Sequence, residues 1–127
     1  DSRLFVFKLG SKEPMPEVKR RIMTPPSPPP MTASSEEVAA GRRLFADNCG
    51  VCHGLSAYSA NAIPDLRYLT PEKHEQFQNI VHGARAHMGM PPFGGRLKPQ
   101  EFEKIRAYLI KRAHDLKSDL ASVAAKP

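Results

Sequence analysis

This 127-residue sequence contains only two cysteines and no long apolar run. Its two cysteines, Cys49 and Cys52, lie three residues apart, so no disulfide is possible except between these two. No apolar run approaches the ~20 residues that a membrane helix needs. The start at Asp1 is not that of a signal peptide, so we expect a processed chain or a piece of something longer.

Acidic residues are fewer than basic ones, and the formal net charge is +6. The excess lies at the two ends, because residues 35–95 carry five basic and six acidic groups. Nucleic-acid binding would need a basic patch with an aromatic platform or a groove-reading element, and the sequence shows neither. We therefore interpret the C-terminal charges as a solvated helix face and expect no nucleic-acid partner. The length predicts one domain.

The stretch Cys49-Gly-Val-Cys-His53 is the motif that carries chemistry. Two thiols at this spacing, followed at once by a histidine, are the attachment pattern for a c-type haem. Cys49 and Cys52 would each bond covalently to a haem side group, and His53 would ligate the iron.

Two other functions of this motif are disfavoured by its context. A thiol–disulfide redox protein needs a strand before the motif and a βαβ unit around it, whereas Cys49 follows a predicted helix. Zinc binding needs two further ligands at suitable spacing, and the sequence does not supply them.

The N-terminal segment predicts a strand and a linker ahead of the globular part. Residues 1–10 are almost all apolar, which favours a strand that is buried on both faces. A lone strand is not stable in water, so we expect it to pair with a neighbouring copy or to lie on the globular part. Residues 11–34 contain seven prolines, a composition typical of an extended spacer between domains.

A first helix is predicted over residues 35–48, at the start of a globular part that spans 35–118. Ser34 and Glu37 have the spacing of a capping box. Gly41 in mid-helix costs about 1 kcal/mol relative to alanine, and a close crossing with another helix would explain its presence.

Two more helices are predicted after the motif. One runs over residues 71–82 and ends at Gly83. The last runs over residues 99–118 and has an apolar stripe, although Lys98 is a poor residue to cap its start. Residues 119–127 are predicted to form a loose tail.

A second axial ligand for the iron is sought in one irregular segment after the second helix. The candidates are His82, His87, Met88 and Met90. Pro91 forces Met90 toward an extended backbone. In an extended run Met88 and Met90 would point to the same side, so the residues alone do not separate them.

Residues 35–118 resemble a class I cytochrome c over their whole length. Five features agree in order: a helix with a glycine and an aromatic residue four apart, Cys-x-x-Cys-His, a later proline, Met-Pro-x-Phe, and an aromatic residue in the last helix. The residues concerned are Gly41, Phe45, Cys49–His53, Pro64, Met90–Phe93 and Tyr108. The resemblance implies an all-α fold of three to four helices around one covalently bound haem c.

In that family the methionine of Met-Pro-x-Phe is the sixth iron ligand, which assigns this role to Met90 and leaves Met88 as the alternative. No iron site would then remain for O₂ or a substrate. A thioether ligand also raises the reduction potential relative to two histidines. The resemblance thus implies one-electron transfer, and the chain alone is not expected to be an enzyme.

Three residues after the motif are further candidates for the cofactor site. Pro64 lies where the family places the carbonyl that accepts the second ring proton of His53. Arg67 and Tyr68 could hold the haem propionates, whose charge needs donors in a partly buried site. A solvated loop arginine is an equal interpretation of Arg67.

A closer resemblance is to the C-terminal cytochrome domain of quinohaemoprotein alcohol dehydrogenases. It rests on Ile63–Arg67, Leu69–Pro71, His74, Gly83 and Gly89–Phe93. In those enzymes a β-propeller that holds pyrroloquinoline quinone (PQQ) and Ca²⁺ precedes a linker and the cytochrome. Residues 1–10 look like the last propeller strand and residues 11–34 like the linker. The quinone and calcium ligands are not in this chain.

This resemblance implies that the chain relays electrons from a PQQ-dependent alcohol dehydrogenase domain to an external acceptor. The acceptor would be a periplasmic or membrane component: a cupredoxin, a cytochrome c, a quinone or an oxidase. The alternative is a free-standing or differently fused periplasmic cytochrome that serves an oxidase or another dehydrogenase. The propeller-like residues 1–10 argue against that alternative.

Overall fold

The protein is built from helices, and no strand occurs in the part of the chain that the structure describes. The structure, a computed structural model, describes residues 6–10, 12, 14, 24–59 and 63–125. Its α-helices are α1 Ser35–Asn48, α2 Gly50–His53, α3 Pro71–Glu75, α4 Phe77–Asn79 and α5 Pro99–Ala124. Single 3₁₀ turns cover Leu66–Tyr68 and Ala86–Met88, and a π-helical turn covers Ile80–Ala84.

Helix α1 has the predicted bounds because its start is encoded locally. The Ser34 hydroxyl accepts a hydrogen bond from the Glu37 backbone N–H at 3.2 Å, and the Glu37 carboxylate accepts one from the Ser34 N–H at 2.9 Å. This reciprocal pair satisfies two of the backbone donors that a helix start leaves open. Glu36 and Glu37 also place negative charge at the positive end of the helix dipole.

Helices α1 and α5 cross closely at Gly41, which is one of the two explanations of this glycine, the other being a glycine that the helix merely tolerates. A Cβ atom at this position would overlap the carbonyl group of Lys104 on α5. One helical turn further on, the rings of Phe45 and Tyr108 stack at a tilt with their centroids 5.3 Å apart. The largest fully buried side chains are Phe45 on α1, Phe102, Ile105 and Leu109 on α5, and His74 on α3. The crossing therefore fixes the scaffold on which the motif after α1 is mounted.

The prediction of one helix over residues 71–82 was wrong. The chain leaves helical geometry at Gln76, where ψ is 3°, and then continues as α4 and the π-helical turn. Within that turn Gly83 has φ of 124°, a conformation that side chains with a Cβ rarely adopt. Glycine therefore ends the helical path, but a wide turn precedes it, for which residues 71–82 carry no local signal.

Helix α5 is longer than predicted: it continues to Ala124 and does not end near Ser118. Residues 119–124 are therefore helical and do not form the loose tail that was predicted. The side chains after Leu116 are exposed, so helix propensity rather than packing sustains the extra turns, which contain two alanines. The start of α5 is held although Lys98 is a poor cap, since the Glu101 carboxylate accepts a hydrogen bond from the Lys98 N–H at 2.7 Å.

The predicted N-terminal strand is absent where it can be assessed. Residues 1–5 lie outside the described residues, and residues 6–10 form no strand. Val6 is 87 % exposed and Leu9 is fully exposed. The physical reason is that a strand needs a neighbour for its backbone hydrogen bonds, and the helical domain offers no sheet edge to these residues.

Part of the predicted linker lies against α5. Residues 24–33 have no regular structure, yet four of their prolines are half-buried. The Nε2 of His114 on α5 is 2.9 Å from the carbonyl oxygen of Pro29, a hydrogen-bond distance. The end of the linker nearest the domain is therefore docked on the last helix.

Candidate haem site

The motif Cys49–His53 forms a short helical segment directly after α1. Cys49 caps α2, and its carbonyl accepts hydrogen bonds from the backbone N–H groups of Cys52 and His53, at 3.2 and 2.9 Å. Both thiols are free; Cys49 is half-buried and Cys52 is exposed. At a separation of three residues in a helix, the two thiols lie on the same face.

The protonation of Cys49 bears on the choice between haem attachment and dithiol chemistry. Burial, and secondly the nearby Cys52, raise the pKa of the Cys49 thiol to about 11. Cysteines that exchange disulfides have pKa values lowered well below the ordinary value, because the thiolate is the nucleophile. The surroundings of Cys49 do the opposite, which disfavours a dithiol redox function.

The imidazole of His53 is held by a backbone carbonyl. Its Nδ1 lies 3.2 Å from the carbonyl oxygen of Pro64, 11 residues along the chain. A carbonyl oxygen can only accept, so Nδ1 must carry the proton in this hydrogen bond. The other ring nitrogen, Nε2, is then left with a free lone pair, which is the form of histidine that ligates a metal.

The segment after Pro64 is held by its own side chains. Asp65 caps the 3₁₀ turn Leu66–Tyr68 and forms a two-point ion pair with Arg67, with N···O distances of 3.0 and 2.7 Å. The Arg67 guanidinium also lies over the Tyr58 ring, 4.6 Å from its centroid. Arg67 is therefore not the solvated loop arginine that was one interpretation of it. Tyr68 is half-buried at the end of the turn.

Met88 and Met90, which the residues alone did not separate, have different surroundings. Met88 is 65 % exposed, and its sulfur accepts a hydrogen bond from Arg85 at 3.2 Å. Met90 is half-buried and packs against the hydrophobic core. The expected extended run does not form, because Gly89 is left-handed with φ of 88° and turns the chain between the two methionines.

The two histidine candidates occupy other positions. His82 has its Nδ1 2.7 Å from the carbonyl oxygen of Gln78, and its ring meets the edge of Phe102 with centroids 5.1 Å apart. His87 is exposed on the turn Ala86–Met88. Both histidines are exposed, whereas Met90 is half-buried.

These donor groups fit a c-type haem. The set consists of two free thiols on one helical face, an imidazole whose Nε2 is free, and an inward-facing thioether. It does not resemble a classical cation site: the described residues contain no group of three or more His, Cys, Asp or Glu side chains that could hold a metal ion. None of the described helices is long and apolar enough to cross a membrane.

Sequence reasoning passed over two features of this region. His74, named above only for the resemblance it supports, is 2 % exposed, and neither of its ring nitrogens has a hydrogen-bond partner. The ion pair between Asp65 and Arg67 was also missed, although an aspartate two residues before an arginine in a predicted loop is a visible signal.

Comparison with known proteins places this geometry in a family. Residues 36–109 match the family model described as cytochrome c oxidase, cbb3-type, subunit III. The chain is also 36 % identical over 84 residues to the cbb3-type cytochrome c oxidase subunit FixP of Sinorhizobium medicae, a match that covers 58 % of this chain and 29 % of that protein.

Stronger likeness is to quinohemoprotein alcohol dehydrogenases. The chain is 40 % identical over 115 residues to the enzyme ADH-IIG of Pseudomonas putida, which covers 91 % of this chain and 16 % of that protein. The solved structure of that enzyme matches with a TM-score of 0.73 and 42 % identity, over 87 % of this chain and 16 % of that one. This chain thus spans about a sixth of the length of these relatives.

Membership of this family implies a haem c and electron transfer by the haem. The helical fold, with α1 and α5 crossed at Gly41, agrees with it. The likeness to the C-terminal domain of the quinohaemoprotein enzymes agrees with the resemblance seen in the sequence. The chain is a cytochrome c domain, and it belongs to the family described as cytochrome c oxidase, cbb3-type, subunit III.

Proposed function

We propose that this domain relays single electrons from a PQQ-dependent alcohol dehydrogenase domain of the same parent protein to an external acceptor in the periplasm. Two relatives that support this source are the quinohemoprotein alcohol dehydrogenases ADH-IIG and ADH IIB of Pseudomonas putida, of which this chain spans 16 % and 17 %. The acceptor is a cupredoxin, a cytochrome c, a quinone or an oxidase. PQQ and Ca²⁺ belong to the preceding domain.

The observation that carries the proposal is the contact between His53 and Pro64. Because the carbonyl holds the proton on Nδ1, the imidazole is fixed in one tautomer and one orientation, with Nε2 directed away as a ligand. Cys49 and Cys52 would hold the haem through thioether bonds, and the Met90 sulfur would take the second axial position. When bound, haem c supplies reversible one-electron exchange at its iron.

The remaining residues of the site position the cofactor and do not react. Arg67 uses its Nε and Nη2 for Asp65, which leaves Nη1 for a haem propionate. Tyr68 is the neighbouring hydroxyl donor that we assign to the same role. His53 and Met90 would both ligate the iron and leave no open position for a substrate, so we assign oxidation of the alcohol to the parent enzyme.

The division of the chain follows from this role. Residues 1–10 would be the last strand of the propeller, 11–34 the linker, 35–118 the cytochrome domain, and 119–127 a tail that extends beyond it. The docked part of the linker, held by His114, supports a fixed path from the donor domain to the cytochrome.

Covalent haem in the purified chain is the test. When the chain is made in a host that attaches haem c, we expect a haem spectrum that persists after denaturation and acid extraction. The double variant Cys49→Ser, Cys52→Ser loses it, whereas Met88→Ala, a control on the exposed methionine, keeps it. A wild-type chain that carries no covalent haem would overturn the proposal.

A second candidate function is a cytochrome that donates to an oxidase without a PQQ domain. The match to the oxidase subunit FixP is the observation that favours it. The reading frame upstream of Asp1 decides between the two, because only the quinohaemoprotein proposal requires a β-propeller to be encoded there.

A further inference from the structure

The loop that carries the Pro64 carbonyl is held by an ion pair at the adjacent residue. One carboxylate oxygen of Asp65 accepts from the Arg67 backbone N–H and from its Nε, each at 3.0 Å. The other accepts from Nη2 at 2.7 Å. Both side chains are only 16 % exposed. Two parallel charge-assisted hydrogen bonds in a half-buried place define the direction of the pair as well as its strength.

The other side of the loop is tied to the same pair. The Tyr58 ring lies under the Arg67 guanidinium, and the Leu66 N–H donates to the carbonyl of the buried residue Ala57 at 3.1 Å. The hydrogen bonds to Asp65 are the main reason that the pKa of Arg67 is raised. Residues 57–58 and 65–67 are thus joined into one base for the loop.

This base controls where the Pro64 carbonyl points. The carbonyl belongs to the peptide plane that leads into Asp65, so a fixed Asp65 fixes the plane. The ring of Pro64 restricts its own φ from the other side. The hydrogen bond to His53 therefore depends on a carboxylate and a guanidinium that do not touch the imidazole.

We propose that Asp65 and Arg67 are positioning residues for the axial histidine: their ion pair aims the Pro64 carbonyl at Nδ1 of His53 and so sets the donor strength of Nε2. This role rests on the proposed function and is additional to any contact of Arg67 with a propionate. A firm hydrogen bond at Nδ1 makes the imidazole more electron-rich, which favours the oxidised iron. Loosening the pair weakens that bond and raises the midpoint potential.

The test uses the full, haem-loaded chain and two variants. Arg67→Lys keeps the charge but cannot form the two-point pair, and Asp65→Asn removes the acceptor charge while leaving the arginine in place. The matched control is Arg96→Lys, because Arg96 is an exposed arginine that follows Met90 in the chain. Two quantities are measured: the exchange rate of the His53 Nδ1 proton by NMR in the reduced protein, and the midpoint potential.

We expect the proton to exchange roughly tenfold faster in both Asp65→Asn and Arg67→Lys, with a higher potential, and no change in Arg96→Lys. A propionate contact alone predicts that Asp65→Asn leaves the exchange rate unchanged. Two results would overturn the positioning role. One is a His53 Nδ1 proton that exchanges in Arg67→Lys at the wild-type rate, and the other is a midpoint potential that shifts in Asp65→Asn without faster exchange of that proton.

The control for folding is a third variant with both charges intact. Tyr58→Leu removes the ring beside the guanidinium, so the His53 Nδ1 proton should exchange faster in this variant as well. If Arg67→Lys does not fold, the exchange rate in Tyr58→Leu replaces it as the test of the positioning role. Covalent haem in the wild type separates the two proposals. A wild type without covalent haem contradicts the proposed function. Covalent haem in the wild type, together with variants whose proton exchange rate and midpoint potential equal those of the wild type, contradicts only the role of the ion pair.

Discussion

At the scale of single residues, Met88 and Met90 show how one glycine separates two equivalent side chains. Gly89 between them has φ of 88°, in the left-handed region. The chain turns there, so Met88 stays at the surface with Arg85 while Met90 packs on the core. Of the two thioethers only that of Met90 packs on the core, which supports our proposal that Met90 is the iron ligand.

Substitution of Met90 should therefore change the iron's ligand field. We expect Met90→Ala to alter the visible spectrum of the oxidised protein and to lower the potential on the order of tenths of a volt, within the ~0.8 V range that axial ligands span. Met88→Ala should leave both unchanged. The opposite result for the two variants would transfer the ligand role to Met88.

His74 is a second residue whose surroundings the sequence did not reveal. His74 lies on α3, and its buried imidazole has no hydrogen-bond partner on either nitrogen. The Nε of the nearby Arg106 is likewise buried and has no hydrogen-bond partner. Burial, and secondly the charge of Arg106, lower the pKa of His74 to about 4. The imidazole is therefore neutral in the folded protein at neutral pH.

The stability of the domain should fall as the pH drops from about 6.5 to 4. In this window the unfolded chain binds a proton at His74, whose unperturbed pKa is about 6.5, and the folded chain does not. We expect a loss of about 2 kcal/mol in the free energy of unfolding, measured by urea denaturation of the haem-loaded chain at pH 7.5 and 4.5. His74→Leu should lose less over the same interval, and an equal loss in both proteins would refute the effect.

At the scale of elements, the crossing of α1 and α5 depends on the absence of a side chain at Gly41. The obstacle to a Cβ atom is the backbone of Lys104 and not the end of a flexible side chain. The helices would have to move apart, which would also loosen the contact between Phe45 and Tyr108. Tyr108 further links α5 to the region after the motif, since its hydroxyl donates to the Leu55 carbonyl at 3.0 Å.

Gly41→Ala should destabilise the domain by about 2–3 kcal/mol. The cost of overpacking exceeds the gain of about 1 kcal/mol that alanine brings to a helix. Thermal and denaturant unfolding of the haem-loaded chain measure the difference. Gly95→Ala is the control, because nothing lies within 4 Å of a Cβ there; a Gly41 variant as stable as this control would contradict the close crossing.

At the scale of the whole molecule, the proline-rich segment before α1 is docked on the last helix. Residues 24–33 lie along α5, and the hydrogen bond from His114 to the Pro29 carbonyl joins positions 85 residues apart. A groove between this segment and α5 is lined by Met31, Arg106 and Ile110 among others. A docked linker restricts the orientations of the domain, which a free spacer would not do.

Removal of the histidine should release this segment. In His114→Ala we expect greater motion of the amides of Ser27, Met31, Thr32 and Ala33, measured by NMR relaxation, because the lost hydrogen bond contributes ~1 kcal/mol. Lys117→Ala, an exposed position one turn along α5, should show no change. If the linker amides are equally ordered in the wild type and in His114→Ala, the docking depends on other contacts.

The sequence by itself determined the features that depend on neighbouring residues. The capping box at Ser34 set the start of α1, and the spacing of Cys49, Cys52 and His53 indicated haem attachment. The resemblance to class I cytochromes c implied a role for Pro64, whose carbonyl lies 3.2 Å from Nδ1 of His53. Each of these signals lies within a few residues or a fixed spacing, so the chain encodes it before it folds.

Only the tertiary structure decided the features that depend on distant residues. It buried His74 beside Arg106, turned Met90 inward, paired Asp65 with Arg67 over Tyr58, and laid the linker on α5. It also gave residues 6–10 no strand, because pairing depends on a partner that composition cannot reveal. Burial and orientation arise from what packs against a residue, and that is known only once the helices have crossed.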